Sequence, residues 1–365
     1  MAEVTARRRL GRTAVEVTEL GFGGASIGEL FVRVSEADAG ATLAAAWDAG
    51  VRYFDTAPWY GRGLSELRTG AGLRDHPRAE YTLSTKVGRW LRPASAEGFD
   101  GSPWLGGSPN EVVFDYTYDG IMRSIEGSRL RLGITRFDVA YIHDLDRLYF
   151  DPPTIEAHFR DLAASGWRAL EELRSSGQVG AIGAGINHLG LMPRFLDIGD
   201  IDAFLVAMPY TLLDQEVLET EFPAGVERGV GFVIGAVFAS GILAKGPVPG
   251  ARYAYADASP EVIEKTRRIA AVCDRHGVPL AAAALQFPLG HPAVASVIPG
   301  ASSPAQQARN VEAFRFPIPH ELWAELKHDG LLREDAPVPS AGASTSAGAS
   351  TSAGASTSAA PTGSA

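Results

Sequence analysis

Short apolar runs alternate with amphipathic segments along most of the chain, in the order typical of βα units. The first run, VTELGFGG, precedes a helix predicted from Ser35 to Ala49, with Ser35 as its N-cap and Gly50 directly after its end. Seven more strand-and-helix pairs follow, with the strands VRYFDT, YTLSTKVG, FDVAYIHD, QVGAIGAG, IDAFLVAM, GVGFVIGA and AVASVIPG. Eight such repeats predict an α/β fold, a parallel sheet closed into a (β/α)8 TIM barrel, rather than an open two-layer sheet.

The segments outside this alternation complete the predicted organisation. The stretch RRRLGRTAVEVTELGFGG predicts an N-terminal β-hairpin, and two long loops, from Gly88 to Tyr116 and from Asp144 to about His158, are expected to contribute to a substrate pocket. The final stretch repeats SAGAST and has almost no large apolar residue, so it cannot offset the entropy of ordering. We therefore expect one barrel domain over residues 1–335 and a low-complexity, disordered tail over residues 336–365.

Composition narrows the classes of function. The chain has 365 residues, 45% of them hydrophobic, and a net charge of −10, which disfavours nucleic acid as a partner. Its single cysteine, Cys273, rules out an internal disulfide and fits a reducing compartment. There is no apolar run like that of a signal peptide or a membrane span, so we expect a cytoplasmic protein that does not associate with membranes. The histidines lack metal-ligand spacing, and no metal is expected.

Candidate chemistry lies at the ends of three consecutive strands, which supply Asp55 with Tyr60, then Lys86, then His143. In a barrel these strand ends converge on one face. An ammonium anchored by a carboxylate is expected to lower the pKa of a nearby phenol, making Tyr60 a general acid/base, while His143 orients the substrate oxygen. These groups move protons and not hydrides, so a cofactor is required for redox chemistry. An aldolase with Lys86 as a Schiff-base nucleophile is the competing reading, but it needs a lysine without a carboxylate partner.

Four motifs in order, LGRTAVEVTELGFG, GVRYFDTAPWYG, LSTKVG and YIHD, resemble the aldo-keto reductase superfamily from about Arg9 to Leu331. The resemblance implies a (β/α)8 barrel and a nicotinamide dinucleotide bound without a Rossmann domain. It also implies that Asp55, Tyr60 and Lys86, with His143, form the catalytic tetrad. Some barrels of this superfamily are cofactor-sensing subunits, which is a non-enzymatic alternative.

The segment VIPGASSPAQQARNVEAF is similar to the family's cofactor-binding turn after the last strand. Ser302 and Ser303 precede a helix whose N-terminus favours an anion, and Asn310 matches the asparagine that contacts adenine. Gly300 and Gln306 stand where members that prefer NADPH carry lysine and arginine, so the resemblance implies NAD rather than NADP. NADP remains possible because Arg309 is close by in sequence.

Further contacts follow from the same resemblance. Asn187, in GAGINH, is the candidate partner of the nicotinamide carboxamide, and Gly23 is expected to let the backbone approach a ligand. The family's glutamine and stacking aromatic appear as Ala207 and Gly235, with Phe238 or Tyr210 as possible substitutes for the aromatic. Three tryptophans either stack on the substrate or pack within the loops: Trp59, Trp90 and Trp104.

The runs GINH, PYTLLDQ and SGILAKG resemble the branch that contains D-threo-aldose 1-dehydrogenases, L-fucose dehydrogenases and pyridoxal 4-dehydrogenases. The implied activity is oxidation of an aldose's anomeric hydroxyl to the lactone. The alternatives are oxidation of pyridoxal to 4-pyridoxolactone and general aldehyde or ketone reduction. The expected partner is therefore a small sugar or pyridoxal, and the oligomeric state is open.

Overall fold

A computed structural model describes residues 3–95 and 99–340. An antiparallel hairpin of strands β1 (Arg7–Arg9) and β2 (Glu16–Thr18) precedes the barrel, as predicted. Its apolar side chains, Leu10, Val15 and Val17, pack with residues on the barrel strands in one buried cluster. The Arg12 N–H donates to Gly229 O, just before a barrel strand begins, so the hairpin closes the end of the barrel opposite the strand carboxyl ends.

Eight parallel strands form one sheet whose neighbours follow sequence order. Hydrogen bonds from Gly21 N to Val297 O (2.8 Å) and from Gly23 N to Pro299 O (3.1 Å) join the first strand to the last. The eight predicted βα units and the closed barrel are confirmed. With the loop hairpins numbered in chain order, the barrel strands are β3 (Phe22–Gly23), β4 (Tyr53–Asp55), β5 (Thr82–Val87), β8 (Phe137–Ile142), β9 (Val179–Ile186), β10 (Ala203–Ala207), β11 (Gly231–Gly235) and β14 (Val294–Val297).

Helices cover the outside of the sheet and begin at the predicted caps. Ser35 Oγ accepts from Asp38 N at 3.0 Å, which confirms the first predicted N-cap, and Ser303 caps the last barrel helix in the same way. The helices are α1 (Glu36–Asp48), α2 (Leu64–Leu73), α3 (Tyr118–Leu132), α4 (Pro152–Asp161), α5 (Trp167–Ser175), α6 (Met192–Ile198), α7 (Glu221–Glu227), α8 (Ile242–Lys245), α9 (Pro260–Arg275), α10 (Leu280–Gln286), α11 (Pro304–Arg315) and α12 (His320–His328).

The two long loops are more regular than the sequence suggested. The first contains an antiparallel pair, β6 (Arg89–Pro93) and β7 (Asn110–Phe114), in which Arg89 lies opposite Phe114. The second is shorter than predicted, because Asp151 caps α4 and the helix takes over from Pro152. A further hairpin, β12 (Arg252–Tyr253) and β13 (Ala256–Asp257), follows β11.

The C-terminal end of the described chain stays against the barrel. Ala336 is fully buried, and Val338 packs on the core beside Gly290. Contact with the core therefore continues past residue 335, where the sequence analysis placed the domain boundary. The SAGAST repeats, over residues 341–365, lie outside the described residues.

Candidate active site

The four predicted catalytic residues meet at the carboxyl ends of neighbouring strands. Asp55 is the last residue of β4, Lys86 lies near the end of β5, and His143 directly follows β8. Lys86 Nζ lies 2.7 Å from Asp55 Oδ2, and both side chains are 2% exposed. Tyr60 stands in the turn after β4. A buried ion pair thus lies beneath a largely buried phenol.

Further contacts fix the lysine below that phenol. Lys86 Nζ also donates to Thr56 O at 3.0 Å, and Ser84 Oγ donates to Asp55 Oδ1 at 2.7 Å. The ammonium is 4.7 Å from the centre of the Tyr60 ring, and the rings of Tyr60 and His143 meet edge to face with their centres 5.9 Å apart. The predicted arrangement of an anchored amine against a phenol is therefore present.

The turn that carries Tyr60 depends on close backbone contact. Gly61 has φ +61°, a left-handed conformation that favours glycine. A Cβ on Gly28 would lie 2.8 Å from the backbone of both Tyr60 and Gly61. Glycine at these two positions lets the loop after β3 pack directly against the Tyr60 backbone.

The pKa of Tyr60 differs from the sequence-based expectation. Burial raises it well above its ordinary value, the carboxylates Asp55 and Asp144 raise it further, and Arg89 opposes them. The expected net lowering by Lys86 is wrong for this structure, because Asp55 pairs with that ammonium and offsets its charge at the phenol. Tyr60 is therefore a protonated phenol at neutral pH.

His143 is held neutral. Burial, with a further contribution from Arg89, lowers its pKa to about 3 against the raising effect of Asp144. The ring nitrogen Nε2 lies 3.3 Å from Asp144 Oδ2, and Tyr116 donates its hydroxyl hydrogen to His143 O at 2.8 Å. The histidine is thus fixed from both its ring and its backbone.

Two of the three predicted substrate tryptophans lie beside Tyr60. The Trp104 ring centre is 5.9 Å from that of Tyr60 and 5.6 Å from that of Trp59. Trp90 does not join them, because its ring faces Arg123 of α3, with the guanidinium 5.0 Å away. The strand alternation of β6 turns Trp90 outward and its neighbour Arg89 inward.

The predicted cofactor turn has the geometry of a capped helix. Ser303 is the N-cap of α11, and Gln306 accepts through Oε1 from Ser302 N (2.8 Å) and Ser302 Oγ (2.9 Å). Asn310 donates to Gly300 O at 3.3 Å. These residues form one local network at a twelve-residue helix, whose N-terminus attracts an anion.

Gly23 and Asn187 lie at opposite sides of the barrel mouth. The space that a Cβ would fill at Gly23 holds Ile298 O at 2.7 Å, so contact between the first and last strands already accounts for this glycine. Asn187 donates through Nδ2 to the buried Asp146 Oδ2 at 2.9 Å, which leaves its Oδ1 as an acceptor. Asn187 also lines a cavity of about 300 Å³, together with Met208 and Tyr255.

The two aromatic residues offered as substitutes for the nicotinamide-stacking side chain differ in their burial. Tyr210 is fully buried and packs 4.9 Å from Phe222 and 5.2 Å from Phe287, measured between ring centres, so it cannot face the barrel mouth. Phe238, which follows β11, is half-buried and remains the candidate. A side chain on Gly235 would lie 3.1 Å from Leu205 Cδ2, so strand packing favours glycine there.

Sequence reasoning missed several charged and aromatic residues around the tetrad. Arg89, which directly follows LSTKVG, and Asp144, the last residue of YIHD, were given no role in the site. Tyr149 stacks under Arg89 from the loop after β8, and Tyr255 reaches the mouth from the β12–β13 hairpin. The alternation of inward and outward side chains along β6 is the sequence signal that could have indicated Arg89. A strand of five residues is too short for that pattern to be recognised.

The comparisons with known proteins agree with this geometry. The family described as "Aldo/keto reductase family" matches residues 19–328. The chain belongs to the aldo-keto reductase family. It is an oxidoreductase, and the enzymes of this family use nicotinamide cofactors.

Two curated relatives are similar over nearly their whole length. Pyridoxal 4-dehydrogenase from Microbacterium luteolum is 44% identical over 337 residues, covering 89% of this chain and 98% of the relative. D-threo-aldose 1-dehydrogenase from a Pseudomonas species is 43% identical over 323 residues, covering 87% and 95%. The holo form of an aldo-keto reductase from Bacillus halodurans matches with a TM-score of 0.68 at 26% identity, covering 89% of this chain and 96% of that one.

Within residues 3–95 and 99–340, no helix is long and apolar enough to cross a membrane. The same residues contain no cluster of three or more histidine, cysteine, aspartate or glutamate side chains able to hold a metal ion.

Proposed function

We propose that this aldo-keto reductase oxidises the anomeric hydroxyl of an aldose, of the D-threo-aldose or L-fucose type, to the lactone with NAD as cofactor. The arrangement that carries the proposal is the Asp55–Lys86 pair under Tyr60, with His143 edge-on to the same phenol. The relative named D-threo-aldose 1-dehydrogenase, 43% identical, supports the class of substrate.

Tyr60 is the proposed general acid/base. In oxidation its oxygen takes the proton of the substrate hydroxyl, and in reduction the phenol returns that proton to the carbonyl oxygen. Lys86 stabilises negative charge on the Tyr60 oxygen as the proton leaves, and Asp55 keeps the ammonium charged and in place. The ion pair with Asp55 also counts against Lys86 as a Schiff-base nucleophile.

The residues of the barrel mouth fit a nicotinamide dinucleotide. When bound, the nicotinamide supplies the hydride acceptor. The free Oδ1 of Asn187 suits a carboxamide N–H, and the α11 N-terminus with Ser302 and Ser303 suits a phosphate. We propose Asn310 and Gly300 for the adenosine end, and we keep Gly23 as a proposed contact at the end of β3.

NAD is proposed over NADP because the helix start lacks a cation. Gln306 is neutral and its oxygen is occupied by Ser302, and Gly300 carries no side chain. A ribose 2′-phosphate would lose hydration there with little compensation. Arg309 is exposed one turn further along α11 and is the residue through which NADP binding would be retained.

Trp59 and Trp104 are the proposed substrate-stacking residues, because aromatic faces pack on the apolar side of a sugar ring. The second candidate substrate is pyridoxal, favoured by the 44% identical relative named pyridoxal 4-dehydrogenase. A planar ring would use the same two tryptophans. The two substrates share a hydroxyl whose oxidation gives a lactone, so the tetrad itself does not separate them.

The test is an NADH absorbance assay on the purified chain with L-fucose, D-arabinose, L-galactose and pyridoxal as substrates. We expect NAD+ reduction with an aldose and a lactone product that consumes hydroxylamine, and reduction slower by about 100-fold or more with the Tyr60→Phe variant. Preferential oxidation of pyridoxal selects the second candidate. Activity confined to aldehyde reduction, with no oxidation of any of these substrates, contradicts the proposal.

A further inference from the structure

Arg89 is a fully buried cation beside the tetrad. Its Nη2 lies 3.6 Å from Asp144 Oδ2 and donates to Asp144 O at 3.4 Å. The guanidinium carbon is 4.0 Å from the centre of the Tyr149 ring and 5.0 Å from that of Phe114. Its Nε and Nη1 have no hydrogen-bond partner within residues 3–95 and 99–340. Burying a charged guanidinium this completely costs desolvation free energy, so packing alone does not account for an arginine at this position.

Asp144 links that cation to the histidine. The same carboxylate oxygen, Oδ2, lies 3.6 Å from Arg89 Nη2 and 3.3 Å from His143 Nε2. Asp144 has φ +29°, a conformation that is uncommon for a residue with a side chain and that is often kept at functional sites. Burial alone would raise the pKa of Asp144, but His143, Arg89 and Lys86 hold it below its usual range, so it is a carboxylate.

The order of the three groups has an electrostatic consequence. A carboxylate that pairs with histidine by itself favours the imidazolium form. Here burial of the ring opposes that effect most, and the arginine on the other side of the carboxylate opposes it further, so the ring is oriented without being charged. An ionised carboxylate only accepts hydrogen bonds, so with Asp144 Oδ2 at 3.3 Å from Nε2 a neutral ring is favoured with its proton on Nε2, and Nδ1 then carries the lone pair. Nδ1 is buried without a partner among the described residues.

We propose that Arg89 and Asp144 are positioning residues that hold His143 as a neutral ring with its proton on Nε2. Neither touches the reacting atoms in this arrangement, and both act through the histidine. The state of the ring rests on the burial of His143 and on the distances that join Asp144 to both His143 and Arg89, and not on the proposed function. The consequence for turnover rests on the proposed function: protonation of His143 should not contribute to any fall of the oxidation rate at acid pH.

Several ionisable groups face His143, and the proposal must hold with all of them present. Lys86 and Arg89 add positive charge, and Asp144 adds negative charge. Tyr60 and Tyr116 face the ring and the backbone as neutral phenols. Burial favours the neutral ring most, and among the charged groups Arg89 favours it most, because it opposes Asp144 directly.

The test is long-range ¹H–¹⁵N NMR of the histidine rings in the full chain, titrated between about pH 5 and pH 8, with His143→Gln to assign the signal. We expect the wild-type His143 to be neutral, protonated on Nε2, and without a titration midpoint in that range. In Arg89→Met the midpoint is expected to move up into the range, because Asp144 is no longer offset.

Arg174→Met is the matched control. Arg174 pairs with Asp202 at 2.9 Å next to the start of β10, at the other end of the barrel, and its loss removes an arginine–aspartate pair without touching His143. Its spectrum should keep the wild-type His143 signal. Three results would each overturn the proposal. The wild-type ring could be protonated on Nδ1, it could be an imidazolium at neutral pH, or Arg89→Met could show no midpoint in the titrated range, like the wild type.

If Arg89→Met does not fold, the Asp144 variants decide. Asp144→Asn keeps an acceptor oxygen and should retain Nε2 protonation, whereas Asp144→Leu removes it and should give a mixture of tautomers. Identical spectra for the two variants overturn the proposal. Where a substrate is oxidised, kcat should fall more steeply toward acid pH in Arg89→Met than in Arg174→Met, because protonation of His143 adds to that of Tyr60. If no substrate is oxidised, the proposed function fails while the NMR result stands.

Discussion

Tyr60 combines a raised pKa with a position directly above a lysine ammonium. Burial and two carboxylates keep its proton on, while Lys86, 4.7 Å from the ring centre, is placed to stabilise the charge that appears when the proton leaves. We expect Tyr60→Phe to lower kcat by about 100-fold or more, the usual contribution of a positioned general acid/base. Steady-state kinetics with the best substrate measures this. Tyr81→Phe, at the start of β5, should stay near wild type, and normal turnover in Tyr60→Phe removes the mechanism.

The raised pKa of Tyr60 also sets the direction of the pH dependence. Oxidation needs the phenolate, whose fraction grows about tenfold per pH unit below the pKa. Where proton transfer limits the rate, kcat for oxidation should therefore rise with pH through neutral into the alkaline range, and kcat for reduction should be flat and then fall. Rate profiles in both directions test this. An oxidation rate that levels off below about pH 7 would indicate a pKa that is lowered instead.

Gln306 is the residue where cofactor preference is most open to change. It is exposed in the first turn of α11, whereas a side chain on Gly300 would clash with Ser26 Oγ. Gln306→Arg should raise kcat/KM for NADP+ relative to NAD+ by about tenfold, through a charge-assisted bond to the 2′-phosphate. The control Gln306→Ala also loses the bonds to Ser302 but adds no charge, so it should leave the ratio unchanged. If the ratio of kcat/KM for NADP+ to that for NAD+ is the same in the wild type, Gln306→Arg and Gln306→Ala, the ribose 2′-position of the cofactor does not lie beside residue 306.

Among the elements, the β12–β13 hairpin is built on an unfavourable turn. Ala254 (φ +49°) and Tyr255 (φ +66°) both adopt left-handed conformations, which glycine and asparagine usually supply in such turns. The hairpin is held by Tyr253, whose hydroxyl donates to Asp214 at 2.6 Å, and by Ser240 Oγ, which accepts from Tyr255 N at 2.9 Å. These bonds keep Tyr255 at the edge of the barrel mouth.

Ala254→Gly should therefore stabilise the protein by about 1 kcal/mol, because glycine adopts this φ without the steric cost paid by alanine. Thermal unfolding monitored by circular dichroism measures the change. Ala258→Gly, just after β13, is the matched control, since the same loss of a methyl group at an ordinary φ should be neutral or destabilising. A lower Tm in Ala254→Gly than in Ala258→Gly contradicts the turn geometry.

The elements also show how far sequence reasoning reaches. Long apolar periods and capping residues such as Ser35 predicted the strands, helices and barrel correctly, because local hydrogen bonds and one buried face determine them. The β6–β7 pair was missed because its two short strands are separated by a long loop and pair by long-range register. That omission explains why Trp90 was chosen and Arg89 was not. The pKa of Tyr60 depends on side chains from β4, from β6 and from the loop after β8, which no local pattern specifies.

At the scale of the whole molecule, barrel closure keeps titratable groups away from water. His143 lies inside the mouth, and His291 lies under the barrel helices with its ring centre 5.0 Å from that of Phe222. Burial lowers the pKa of His143 to about 3 and that of His291 to about 4, from an ordinary value of 6.5. Both rings are neutral in the folded protein at a pH where the unfolded chain would protonate them.

The unfolded state therefore binds more protons than the folded state between about pH 6.5 and pH 4, and stability should fall as the pH drops through this window. We expect the free energy of unfolding in urea to be lower at pH 5 than at pH 7, with each buried histidine contributing about 1 kcal/mol or more. In His291→Leu the difference between the two pH values should shrink by about 1 kcal/mol, because the group that protonates only on unfolding is gone. His320→Leu changes an exposed histidine at the start of α12 and should keep the wild-type difference. A His291→Leu protein that loses as much stability at pH 5 as the wild type would show that this ring reaches water in the folded state.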